Sequence, residues 1–190
     1  MVNKALINID YTVDFASIDG RLSCGEMGEL IEKEVTSITE NFIRNGDYTV
    51  FAVDVHEAGD THHPEHALFP PHNIRNTAGR SLFGSLREVY ERNSQFNHIY
   101  YLDKTRYSAF TGTDLELKLR ERGITELHLV GLCTDICVLH TAADAYNKGF
   151  SLVIYEDAVA SFSLKGHEWA IEHFKTVLGA KIIQRNGADE

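Results

Sequence analysis

The sequence predicts an α/β fold: a single three-layer domain with a mainly parallel central sheet of about six strands and helices on both faces. Three observations point there. Short apolar runs alternate with amphipathic stretches, the βαβα rhythm of parallel sheets. Gly46, Gly123, Gly149 and Gly179 each follow a helical pattern and precede a strand, where a helix-terminating glycine belongs. The chain has 190 residues, 43% hydrophobic and 24% charged, which suits one full core spanning residues 1–190.

In chain order, strands are predicted at 5–9, 48–53, 98–102, 126–130, 152–155 and 181–183, each a short apolar run. Helices are predicted at 26–44, 113–122, 135–148 and 167–178, where apolar residues recur at helical spacing. No repeat, low-complexity tract or linker interrupts them. Residues 54–80 break the rhythm, being rich in histidine and without clear periodicity. Long irregular loops in compact domains are functional or disordered, and Leu68, Phe69, Pro70 and Pro71 favour an ordered one.

The net charge of −10 argues against a nucleic-acid groove, which needs clustered Lys and Arg. An acidic surface commonly serves solubility. The apolar run at the N-terminus, about five residues long, is too short for a signal-peptide core or a membrane span. No other stretch approaches a span, so no membrane association is expected. Cys24, Cys133 and Cys137 form an odd, sparse set, unlike a disulfide framework. The default location is the cytoplasm, with reduced thiols.

Open parallel sheets bind ligands beyond the carboxyl ends of their strands. The residues there are Asp10, then Asp54 and His56, then Asp103 and Lys104, then the segment holding Cys133 and Cys137. A carboxylate, a lysine, a thiol and histidines thus converge on one edge. Thr134 or Asp135 can cap the helix that follows the fourth strand. Cys137 then falls in its first turn, where backbone N–H groups and the helix dipole favour a thiolate. The plainer alternatives are a packed small hydrophobe for Cys137, a helix cap for Asp10 and a surface residue for Lys104. His140 lies one turn past Cys137, so spacing also allows a Cys–His pair.

Five of the ten histidines lie between residues 56 and 72. Asp54 and His56 point to the same side of an extended chain, and Glu65 and His72 can return a second pair. Mixed imidazole and carboxylate ligands suit Zn, Fe or Mn better than Ca or Mg. A merely solvated polar loop is the competing reading.

Four ordered motifs carry a resemblance. They are Ala5-Leu6-Ile7-Asn8-Ile9-Asp10-Tyr11-Thr12-Val13-Asp14-Phe15, Asp54-Val55-His56-Glu57 with Phe69-Pro70-Pro71-His72, Asp103-Lys104 with Tyr107-Ser108-Ala109-Phe110, and Gly131-Leu132-Cys133-Thr134-Asp135-Ile136-Cys137-Val138. Together they resemble the nicotinamidases of the isochorismatase-like cysteine hydrolase superfamily, in particular the short streptococcal type. The resemblance runs from residue 5 to about 183.

The resemblance implies hydrolysis of nicotinamide to nicotinate and ammonia through a cysteine thioester, in salvage toward NAD, with pyrazinamide as a second substrate. The related alternative is a cysteine amidase for another small amide or carbamoyl compound. By position, Cys137 is the implied nucleophile, Asp10 the base and Lys104 the third member, lowering the pKa of both. The backbone N–H groups of Cys133 and Cys137 would hold the oxyanion, beside a cis peptide at Leu132–Cys133. Asp54, His56, Glu65 and His72 are the implied ligands of one divalent ion, Zn first and Fe or Mn otherwise, with His62 the alternative to Glu65. Phe15, Phe69, Tyr107 and Leu132 are the expected substrate contacts. A homo-oligomer, dimer or tetramer, is expected.

Overall fold

The computed structural model describes residues 3–184. The elements are β1 (Lys4–Ile9), α1 (Val13–Ala16), α2 (Glu26–Leu30), α3 (Glu32–Arg44), β2 (Tyr48–Asp54), α4 (Gly84–Asn93), β3 (Ile99–Lys104), α5 (Leu115–Glu121), β4 (Glu126–Leu132), α6 (Leu139–Asn147), β5 (Ser151–Ala160), α7 (Leu164–Thr176) and β6 (Lys181–Ile183). The six strands lie in the order β3-β2-β1-β4-β5-β6, and every neighbouring pair is parallel. The predicted fold class holds, with the sheet wholly parallel.

Strands buried on both faces read as continuous apolar runs. All seven residues of β2 are buried, and so are five of the six in β1. Alternating side chains feed two cores. Ile7, Val50 and Leu129 pack with Leu119, Ala142 and Phe174 under α5, α6 and α7. Leu6, Phe51 and Val130 pack with Val35, Ile38 and Leu86 under α3 and α4.

Four departures from the sequence reading have physical causes. The 26–44 helix is two helices, and the Tyr11 hydroxyl donates to the Gly28 carbonyl (2.8 Å) just before the break. The 135–148 helix opens with a π-turn, Thr134–Val138, and neither expected cap forms. Thr134 Oγ1 instead bonds His167 Nδ1 (2.9 Å), and Asp135 accepts from the Ser161 hydroxyl. β5 continues past Glu156 and Asp157, where the apolar run pauses, because Ala158, Val159 and Ala160 return to the core. α4 buries only Leu86 and Val89 fully, too thin a stripe to stand out in sequence.

Gly131, at the end of β4, has φ 112°. A side chain there would be strained, and its Cβ would run into the carbonyl of Ile9. The close approach of β1 and β4 at this point brings the ends of the two central strands together.

Candidate active site

The strand order reverses between β1 and β4, and such switch points form ligand crevices in open α/β sheets. Asp10 leaves β1 there with φ 53°, a left-handed conformation that aspartate tolerates better than most residues. Its amide donates to the Ala52 carbonyl (3.0 Å). Its Oδ1 accepts the Asp54 amide (2.7 Å). Lys104 closes β3 opposite Asp54 and is fully buried, as is Asp10. The Lys104 Nζ lies 2.6 Å from Asp10 Oδ2 and 3.6 Å from Cys137 Sγ. It also donates to the Arg106 carbonyl (3.2 Å) and stands 3.7 Å from Asp54 Oδ1. The structure therefore brings Asp10, Lys104 and Cys137 together. His140 is exposed and donates from Nδ1 to the Ile136 carbonyl (2.7 Å), so the Cys–His alternative does not form.

Burial reverses one expectation about charge. Lys104 does pull the Asp10 and Cys137 pKa values down, but desolvation outweighs it in both. Asp10 is pushed up to about 6, with Asp54 adding to the rise. The Cys137 thiol is pushed well above its usual range. Lys104 also rises, its desolvation overcome by Asp10, Cys137 and Asp54. At rest the sulfur keeps its proton next to an ionised carboxylate.

The Leu132–Cys133 peptide is cis, as the resemblance implies. The Cys133 carbonyl accepts the N–H groups of Ile136 and Val138 (both 3.1 Å), fixing the turn that carries Cys137.

A second cluster lies on the other side of Lys104. One ligand atom from each of Asp54, His56, Glu65 and His72 falls within 4.8 Å of the others. His56 Nε2 is 2.6 Å from Asp54 Oδ2. His72 Nε2 is 3.6 Å from both Asp54 Oδ2 and Glu65 Oε2. These residues fit a divalent transition metal. His72 Nδ1 donates to the Pro70 carbonyl (2.9 Å), which turns Nε2 toward the carboxylates. That Nε2 and Asp54 Oδ1 are buried without a hydrogen-bond partner among the described residues. Burial depresses His72, yet Asp54 and Glu65 hold it at about 10, so the pocket favours positive charge. Asp54 itself sits far below the usual carboxylate range, because Lys104, His56 and His72 outweigh its desolvation. His62 is exposed, its amide bonded to Asp60 Oδ1 (2.9 Å). It lies outside the cluster, and Glu65 takes the fourth place.

His63 is a residue the sequence reading passed over. Its Nδ1 accepts the Glu65 amide (3.2 Å) and its Nε2 donates to the Thr105 carbonyl (2.8 Å). It ties the short 3-10 turn Pro64–Ala67, which carries Glu65, to the segment after Lys104. His63→Ala is expected to weaken the binding of a divalent metal by this cluster about 10–100-fold with little change in melting temperature, read by chelator competition.

Phe15, Leu22, Glu65, Phe69, Tyr107, Cys133, Ile136, Cys137 and Phe162 line a narrow apolar pocket that joins the two clusters. Phe15 and Phe69 meet the His72 ring edge-on, at centroid distances of 5.2 and 6.2 Å. Leu132 departs from expectation. Its side chain is fully buried in the core with Val130 and Val153, outside the pocket lining. Leu22, Ile136 and Phe162 were missed. Phe162 follows the true end of β5, so the strand-end rule finds it once that strand is read to Ala160.

The isochorismatase-domain family model matches residues 4–186. The chain belongs to the isochorismatase family. Similar members of known structure include the nicotinamidase/pyrazinamidase of Bacillus subtilis, 62% identical with a TM-score of 0.94, covering 96% of this chain and 99% of that one. The pyrazinamidase/nicotinamidase of Streptococcus mutans is 48% identical, TM-score 0.93, over 95% and 99% of the two chains. A zinc complex of the Pyrococcus horikoshii pyrazinamidase is 29% identical, TM-score 0.83, over 96% and 99%. No helix among the described residues of this isochorismatase-family chain is long and apolar enough to cross a membrane.

Proposed function

We propose that this protein is a nicotinamidase that hydrolyses nicotinamide to nicotinate and ammonia, and pyrazinamide likewise. The observation that carries the reading is the buried Asp10–Lys104–Cys137 cluster beside a four-ligand Asp/His/Glu/His cluster, with Cys137 of the one and Glu65 of the other lining a single pocket. The structural similarity to nicotinamidases at 62% and 48% identity supports it.

Asp10 takes the Cys137 thiol proton as the sulfur attacks the carboxamide carbon. The negative charge that grows on oxygen is held by the N–H groups of Cys133 and Cys137. Asp10 returns the proton to nitrogen, ammonia leaves, and a thioester remains. Asp10 then draws a proton from water, which adds to the thioester and releases nicotinate and the thiol. Lys104 keeps Asp10 ionised between proton transfers. Asp54, His56, Glu65 and His72 would hold one divalent ion, zinc in this reading. When bound it supplies a Lewis-acidic position for the ring nitrogen. Phe15, Phe69 and Tyr107 flank the planar ring.

The proton inventory sets a pH dependence. The base must be ionised, and Asp10 ionises as pH rises through about 6. kcat/KM is therefore expected to climb toward neutrality with an acid limb near 6, not near 4, in a stopped pH series.

The oligomer belongs to the same proposal. Leu164 and Trp169 on α7 are 67% and 56% exposed, and symmetric homo-oligomers are the common case. Light scattering that returns a monomer mass rejects it. Cytoplasmic residence, consistent with three free cysteines, completes the reading.

The deciding experiment measures ammonia release from nicotinamide by purified protein, before and after chelation and zinc restoration. Release that depends on the metal supports the scheme. Release that survives chelation removes the ion as ring anchor. A folded, zinc-loaded protein that releases nothing rejects nicotinamide as substrate.

A further inference from the structure

The chain holds a thiol pair that the proposed reaction does not use. Cys24 and Cys133 sit with their sulfurs 3.3 Å apart, unbonded and both buried. A disulfide needs about 2.05 Å between sulfurs, so the two need approach by little more than one ångström. Cys24 lies on the segment joining α1 to α2, between the exposed Arg21 and Glu26. Its amide is tied to the Phe15 carbonyl (2.8 Å). Cys133 follows β4 and its carbonyl anchors the turn carrying Cys137, so a pull on Cys133 reaches the nucleophile turn. Cys133 lines the pocket, as does Phe15, whose carbonyl holds the Cys24 amide, which gives a small oxidant a route to the Cys133 side of the pair.

We propose that Cys24 and Cys133 are a modification site, forming a reversible disulfide under a hydroperoxide that disables the oxyanion side of the pocket. The sulfur of one of the pair attacks the peroxide oxygen, its proton passes to the departing oxygen as the O–O bond breaks, and one water or alcohol leaves with a sulfenic acid on that cysteine. The sulfur of the other attacks that sulfur, the S–O bond breaks, and its proton leaves with the hydroxyl as a second water. Two thiols are oxidised by two electrons and one peroxide is reduced. The new bond draws Cys133 toward the α1–α2 segment and away from the geometry that faces its N–H to the substrate oxygen. Loss of one such donor lowers turnover about 10²-fold.

The activity arm rests on the nicotinamidase reading, but the bond itself does not. The test treats the full-length, zinc-loaded protein with hydrogen peroxide, then maps non-reduced peptides by mass spectrometry and assays ammonia release. The expected result is a Cys24–Cys133 cross-linked peptide lighter by two hydrogens. Turnover falls by about 10²-fold and returns with dithiothreitol. Cys24→Ala keeps its basal turnover and shows no reductant-reversible loss. A cross-link joining Cys137, or added oxygen on Cys137 with Cys24 and Cys133 still free, overturns the proposal. A Cys24–Cys133 bond that leaves turnover unchanged overturns the disabling role. A protein that forms the bond but never hydrolyses nicotinamide fails the nicotinamidase reading and leaves the modification site standing.

Discussion

Cys137→Ala is expected to lose at least about 10⁴-fold in kcat, the scale seen when a covalent nucleophile is removed, while staying folded and still binding nicotinamide. Alanine cannot form the thioester, so only the background from the oxyanion donors and ring binding remains. The fold should tolerate the change. Cys137 lies in a turn held by backbone bonds to the Cys133 carbonyl, and the deletion removes one sulfur from a site already facing a pocket. Single-turnover ammonia release and a nicotinamide titration separate the two effects. Turnover within tenfold of the parent would end the covalent scheme.

Lys104→Met carries the other large effect, on stability as well as rate. The lysine is fully buried and neutralises Asp10 at 2.6 Å and Asp54 at 3.7 Å. Methionine fills similar space but leaves two buried carboxylates facing each other. Breaking a buried pair from one side costs about 3–5 kcal/mol, which for a chain of this size lowers the melting temperature by about 10 °C. Asp10 escapes by taking a proton: without the cation its pKa, already about 6, rises further. A protonated Asp10 cannot accept the thiol proton, so turnover at neutral pH collapses too. Thermal scans of metal-free protein read the first effect. A melting point within two degrees of the parent would show that Lys104 is not holding these charges.

Much of this was legible in the sequence because strand ends are legible. Asp10, Asp54, Lys104 and the Cys133–Cys137 segment each follow an apolar run, and parallel topology forces those ends onto one edge. The pocket wall was harder. Leu22 and Ile136 belong to no periodic stripe that marks them as facing a cavity, and Leu132 differs from Cys133 only in which way one peptide turns. The balance of charge was not legible either. A sequence places Lys104 near Asp10 and Cys137, but only the burial of those two groups shows that desolvation outweighs the lysine's attraction at both. His63 hid among four other histidines of its loop, since supporting and ligating imidazoles look alike until their partners are known.

Lys104 stands almost midway between the thiol and Asp54, at 3.6 and 3.7 Å. The two halves of the site therefore lean on one cation and are not modules. At an effective dielectric near 20, a unit charge about 4 Å away is worth about 4 kcal/mol, so altering the charge of either half retunes the other. An engineer who deletes Asp54 to admit amides without a ring nitrogen also strips Lys104 of a counterion and resets the base that activates Cys137. Changing the substrate of this scaffold means redesigning both halves at once.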